Sequence, residues 1–156
     1  MTDNALFLYG TLRHLPLLTT VAGCELPVET AELVDHAVTH AVSKQGQKQD
    51  FPLFTTRPGS VATGFLIRPG TEARARLDAY ERVFGYDTDT VTVTTADGQA
   101  QATIYIPRAD LWQAGSAWSL EAWVSGPGVL SVDVATEVMA LLPTTTPEAI
   151  LERFRM

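Results

Sequence analysis

The sequence predicts one α+β domain built on a mixed sheet. Short β-rich runs and amphipathic helical stretches follow one another without a regular βαβ order. Two β-rich runs flank Asp97-Gly98, the dipeptide that tight hairpin turns prefer. The chain has 156 residues, enough for one core and too few for a comfortable second. Its 46% hydrophobic and 19% charged residues are a globular balance, not a disordered one.

Taken in order, the first element is a strand over Ala5 to Tyr9, an unbroken apolar run that stops at Gly10. "HLPLLTTVAG" carries a helix's marks, with Pro16 near its start and Gly23 at its end. "VETAELVDHAVTHAVS" alternates apolar and polar residues and predicts one bent strand or two short ones. "KQGQKQD" reads as a loop and "FPLFTTRPG" as a segment broken by proline and glycine. "SVATGFLIRP" is a strand ended by Pro69-Gly70. The clearest helix is "TEARARLDAYERVFG", capped by Thr71 and ended by Gly85. The hairpin "TVTVTTADGQAQATIYI" follows.

After Pro107 the texture changes to "RADLWQAGSAWSLEAWVSGPG", Trp-rich and turn-rich, which predicts packing on the outside of the sheet. "SVDVATEVMALL" puts Val132, Ala135, Met139 and Leu142 on one helical face before Pro143. "TTTPEAILERFRM" predicts a short helix with Thr146 as cap and Pro147 first, in a tail that resembles a linker. The expected organisation is a barrel-forming part over 1–106 and a helical extension over 107–156 packed on the same domain.

Charge narrows the function classes. The net charge of -7 argues against a broad nucleic-acid footprint, which needs a basic surface. It leaves room for an anionic small ligand, because a nest of backbone N–H groups holds an anion inside an acidic protein. Asp3 precedes the first strand, so the start does not read as a basic, apolar leader. No apolar run approaches the roughly 18 residues of a membrane span. The one cysteine, Cys24, allows no internal disulfide and fits a reducing, cytoplasmic setting. In "VAGCELP" it reads as a small inert residue rather than a nucleophile.

Two places invite chemistry. On the helix after Thr71, Glu72 has Arg76 four residues on and Asp78 has Arg82, pairs that suit a solvated face. Glu81 differs. Its helical neighbours are Leu77, Gly85, Phe84 and another acid, Asp78. It lies at the edge of the stripe formed by Ala73, Leu77, Tyr80 and Phe84. Partial burial and a like charge both raise a carboxyl pKa, and a poised carboxyl is what acid–base work needs. The competing reading has Glu81 reaching solvent or a distant arginine.

The second place is Tyr9-Gly10-Thr11, where a strand runs into a glycine and on towards a helix. Such a turn presents successive N–H groups to an anion, although it is also an ordinary strand-to-helix turn. It lacks the P-loop's spacing and lysine. His14, His36 and His40 have no acidic or thiol partner at ligand spacing, so no metal and no cofactor is expected. There is no G-x-S-x-G elbow. Trp112, Trp118 and Trp123 read as outer packing rather than a base-stacking platform.

Together, "YGTLR" after the first strand, "FP" before the middle strand, "LDAYE" on a helix, a following tyrosine and a hairpin ending "ATIY" resemble the γ-glutamylcyclotransferase-like family. The YGTL signature is closer to the AIG2-like and γ-glutamylamine cyclotransferase branch than to the glutathione branch with its YGSL signature. The resemblance runs from about Leu6 to Tyr105. It implies a small mixed β-barrel with flanking helices and a cavity. It implies an anion loop at Tyr9, Gly10, Thr11, Leu12 and Arg13, a catalytic Glu81, and Tyr105 lining the cavity. The implied reaction closes a γ-glutamyl group onto its own α-amine, giving 5-oxoproline and an amine, with no metal. The implied partner is a small γ-glutamyl molecule, not a nucleic acid or a membrane; the oligomeric state is open. Thr88 stands where the family often has arginine. The alternative reading is a binding or accessory module of the same fold, such as the N-terminal half of a Nudix-hydrolase fusion.

Overall fold

In a computed structural model the described residues are 5–107 and 112–154. Asp3 and the start of the Trp-rich stretch, 108–111, lie outside them. The strands are β1 Leu6–Leu8, β2 Glu29–Ser43, β3 Lys48–Ile67, β4 Tyr86–Thr95, β5 Gly98–Pro107 and β6 Trp112–Ala117. The helices are α1 Leu15–Ala22, α2 Thr71–Val83, α3 Leu120–Ser125, α4 Ser131–Leu141 and α5 Pro147–Phe154. The sheet runs β3-β1-β5-β4-β2-β6, and β2 also pairs with β3. That pairing closes five strands into a barrel, with β6 added outside on β2. The barrel is mixed because β1 runs parallel to β5 while its other ladders are antiparallel.

β1 shows why its sequence is apolar without a break. Side chains alternate across a strand. Leu6 and Leu8 join the core under the helices, with Leu17, Leu77 and Val138. Ala5, Phe7 and Tyr9 join the core inside the barrel, with Leu33, Val93 and Ile104. A strand buried on both faces has no polar side to display. Gly64 on β3 lies against it, and a Cβ there would collide with the carbonyl oxygen of Leu8.

Several expectations shift. The alternating run of residues 28–43 is one bent strand, β2, with register shifts at Val34/His36 and His40/Val42. Asp35 has a φ of 62° at the first shift, and its carboxylate accepts the Gly59 N–H at 2.9 Å. β3 is also one strand. It starts inside the expected loop and runs through the expected breaks at Pro52 and Pro58. Pro52 sits opposite His40, beside the second shift. Pro58 and Gly59 fall between Thr56 and Val61, in the gap opposite Asp35. Gly70, not Thr71, caps α2.

The helices cover one side of the barrel. Arg76 does not pair with Glu72. Its guanidinium donates to Val21 O at 2.8 Å and Thr20 O at 3.1 Å, at the end of α1. Those carbonyls carry the helix's negative end, so a cation suits them. The tail is α5, started by Thr146, whose hydroxyl accepts the Ala149 N–H at 3.2 Å. α5 packs on α2 and its Ile150 is fully buried, so this segment is part of the core rather than a linker. Among the described residues no helix is long and apolar enough to cross a membrane.

Candidate active site

β1 ends where β3 crosses it. A Cβ on Gly10 would stand 2.8 Å from Pro52 Cγ, too close for any larger residue without movement. The chain then turns as a 3₁₀ segment, Thr11–Arg13, closed by Arg13 N–H to Gly10 O at 3.1 Å. The first amides of such a turn have no acceptor within it. Those of Thr11 and Leu12 find no backbone acceptor among the described residues.

Glu81 meets this turn from α2. It and Thr39 are the polar residues buried in the described structure, and Glu81 is 7% exposed. Glu81 lies one turn beyond Leu77 on α2. Among the described residues no hydrogen bond or ion pair reaches its carboxyl group. Burial, and secondarily the nearby charge of Asp78, push its pKa up to about 8. Asp78 itself pairs with Arg74, at 2.9 Å, rather than with Arg82. Tyr105 donates its hydroxyl to Asp78 at 2.6 Å, and Tyr9 donates to Tyr105 O at 2.8 Å. Burial and the Glu81 charge raise Tyr9 and Tyr80, so both stay protonated.

Tyr9, Gly10, Thr11, Leu12, Glu81 and Tyr105 line one small cavity of about 30 Å³. Phe7, Leu8, Pro52 and Tyr86 complete it. Thr11, Glu81 and Tyr86 are also walls of an adjoining groove of about 310 Å³. Arg13 is not brought to the cavity. Its guanidinium lies 5.9 Å from the Trp118 ring and reaches Gly10 O and Thr63 O at 3.4 Å, which braces the turn from behind. Thr88 pairs with Tyr105 across the β4–β5 ladder but is exposed and lines neither space.

Pro52 and Tyr86 are site residues that the sequence marks only as "FP" and as the tyrosine after the helix glutamate. No spacing rule assigns them a role, because they arrive from β3 and β4. The imidazoles of His36 and His40 face the carbonyls of Val34 and Gln49 at 2.9 and 2.8 Å. Among the described residues no group of three His, Cys, Asp or Glu side chains could hold a metal. Cys24 is exposed and does not line the cavity.

A family model described as gamma-glutamyl cyclotransferase, AIG2-like, matches residues 6–125. No curated protein matches the chain in sequence. Solved structures match it in fold. A gamma-glutamyl cyclotransferase superposes with a TM-score of 0.62 at 16% identity, over 97% of this chain and 98% of the other. A yeast gamma-glutamyl cyclotransferase specific to glutathione gives 0.54 at 11% identity, over 96% and 94%. An AIG2-like protein from Mus musculus gives 0.52 at 13% identity, over 74% and 88%.

Proposed function

The chain belongs to the gamma-glutamyl cyclotransferase, AIG2-like family, and from that premise we propose that it releases 5-oxoproline from a γ-glutamyl amine or peptide. One observation carries the proposal: a buried, unpaired carboxyl group and a turn with free N–H groups line the same cavity. The Thr11 and Leu12 amides hold the α-carboxylate of the γ-glutamyl group. This places the α-nitrogen beside Glu81. Tyr9 and Tyr105 wall the other side.

The substrate enters with an α-ammonium group, and Glu81 acts as a carboxylate. An incoming ammonium favours that charged form, offsetting the burial that holds the empty site neutral. Glu81 takes one ammonium proton. The freed amine attacks the γ-carbonyl carbon of the same molecule, forming the ring C–N bond. The γ-carbonyl then re-forms as the old C–N bond breaks, and Glu81 returns its proton to the leaving nitrogen; the second proton, which the ring nitrogen sheds on becoming an amide, follows through the same carboxylate, so the amine leaves as its ammonium ion. Atoms balance without water: one γ-glutamyl amine gives one 5-oxoproline and one amine. Because nucleophile and electrophile share a molecule, the protein contributes mainly a folded substrate pose and a positioned proton carrier. The lone exposed thiol fits work in a reducing, cytoplasmic compartment.

Glu81→Gln keeps the shape and removes the titrating group. It should abolish 5-oxoproline release in an assay of γ-glutamyl amines and peptides while circular dichroism stays unchanged. Full activity in that variant would overturn Glu81 as the proton carrier.

A further inference from the structure

The adjoining groove bears on the leaving group. Its walls include Phe51, Tyr80, Phe84, Tyr86 and Trp123, and among the described residues no lysine or arginine. Phe84 is 41% exposed, a large ring left open beside the site. Asp50 is the groove's acid apart from Glu81, and its side chain is exposed. The groove continues past Asp50, Trp123 and Pro127 into a further hollow of about 170 Å³. Among the described residues that hollow also has no lysine or arginine, and it is walled by His40 and Trp118. Arg13 is spent behind the turn on Gly10 O, Thr63 O and the Trp118 ring.

Taking the cyclotransferase reading as its basis, we propose that this groove is the leaving-group subsite and selects a γ-glutamyl amide whose amine part carries an aromatic ring and no carboxylate. The α-carboxylate end is held at the 3₁₀ turn, so the scissile bond at Glu81 points the leaving nitrogen along the shared walls. A ring there stacks or packs edge-on among the open aromatics. A carboxylate there meets Asp50 with no lysine or arginine among the described walls, and like charges in a partly desolvated groove repel.

Three probes separate the ring from the charge: γ-glutamyl phenethylamine, γ-glutamyl phenylalanine and γ-glutamyl ethylamine. The first and second differ by one carboxylate, the first and third by the ring. In 5-oxoproline release, kcat/KM for the phenethylamide should exceed each of the others by about tenfold, the size of one good aromatic contact or one uncompensated charge. Phe84→Ala should shrink the phenethylamide-to-ethylamide ratio, and Asp50→Lys should raise the phenylalanine-to-phenethylamine ratio. Equal turnover of all three, or a preference for the carboxylate, would overturn the subsite and leave the cyclotransferase reading intact. Calorimetric binding to Glu81→Gln gives the same ranking without chemistry. If no probe released 5-oxoproline but the binding order held, the turnover reading would fall and the subsite would stand.

Discussion

Replacing Glu81 with glutamine should make the protein more stable, by an amount that depends on pH. In the unfolded chain a glutamate titrates near 4.5, and burial raises it to about 8 in the folded protein. The sign follows. Below the lower value both states are protonated and the carboxyl costs nothing ionic. Between the two, unfolding releases a proton, so wild-type stability falls by about 1.4 kcal/mol for each pH unit. Above about 8 both states are charged and the loss levels off at about 5 kcal/mol. Glutamine is neutral throughout and escapes this loss.

The quantity to measure is the difference between variant and wild type, because other titrating groups cancel in it. Urea unfolding followed by the fluorescence of the three tryptophans gives ΔG at each pH. From pH 5 to pH 8 the variant's advantage should grow by about 4 kcal/mol and then flatten. A difference that stayed level across that range would mean that Glu81 keeps its charge in the folded protein. The placement of an uncharged, unpaired carboxyl in the cavity would then be wrong, whatever the activity of the variant.

Two further outcomes follow from the same geometry. Wild-type kcat/KM for a γ-glutamyl amide should rise tenfold per pH unit on its acid side and level near pH 8, where free Glu81 loses its proton; Tyr105→Phe removes a donor from Asp78, leaves more of that negative charge facing Glu81, and should move this limb to higher pH. Gly10→Ala places a methyl group 2.8 Å from Pro52 Cγ, a ring with little freedom to yield. It should cost about 1–3 kcal/mol in thermal or urea unfolding and lower activity by displacing the Thr11 turn.

The legible parts of this site are those decided within a few residues. Glu81 stands out because its helical neighbours offer no cation, and among the described residues no partner reaches it. The turn after Tyr9 was visible because an apolar run stops at a glycine. Helix starts at Pro16 and Thr146 followed from capping chemistry alone. What failed depended on other elements. Residues 48–67 carry two prolines that read as breaks, yet β2 carries a register shift beside Pro52 and a gap opposite Pro58. Spacing offered Arg76 to Glu72, but the α1 carbonyls took it. Arg13 belongs to the 3₁₀ turn in sequence yet does not line the cavity, because a 3₁₀ turn rotates successive side chains by about a third of a circle. Pro52 and Tyr86 reach the cavity only through the closure of the barrel.

That closure also explains why so costly a residue is tolerated. A buried glutamate with no hydrogen bond from the described residues adds no bond to the fold, and the proton it releases on unfolding weakens the fold at neutral pH. Stability therefore does not account for it. The neighbouring acid makes matters worse, since Asp78 has its own partners in Arg74 and Tyr105 and adds only repulsion at Glu81. Strained or unpaired groups of this kind gather where chemistry is done. Here Glu81 lines one cavity with Gly10, Thr11 and Leu12 and is also a wall of the adjoining aromatic groove. An ammonium group brought in by a substrate would relieve the very burden that the empty fold carries. Binding energy from that ion pair and catalytic readiness then have one source, and the predicted gain in stability of the glutamine variant measures both.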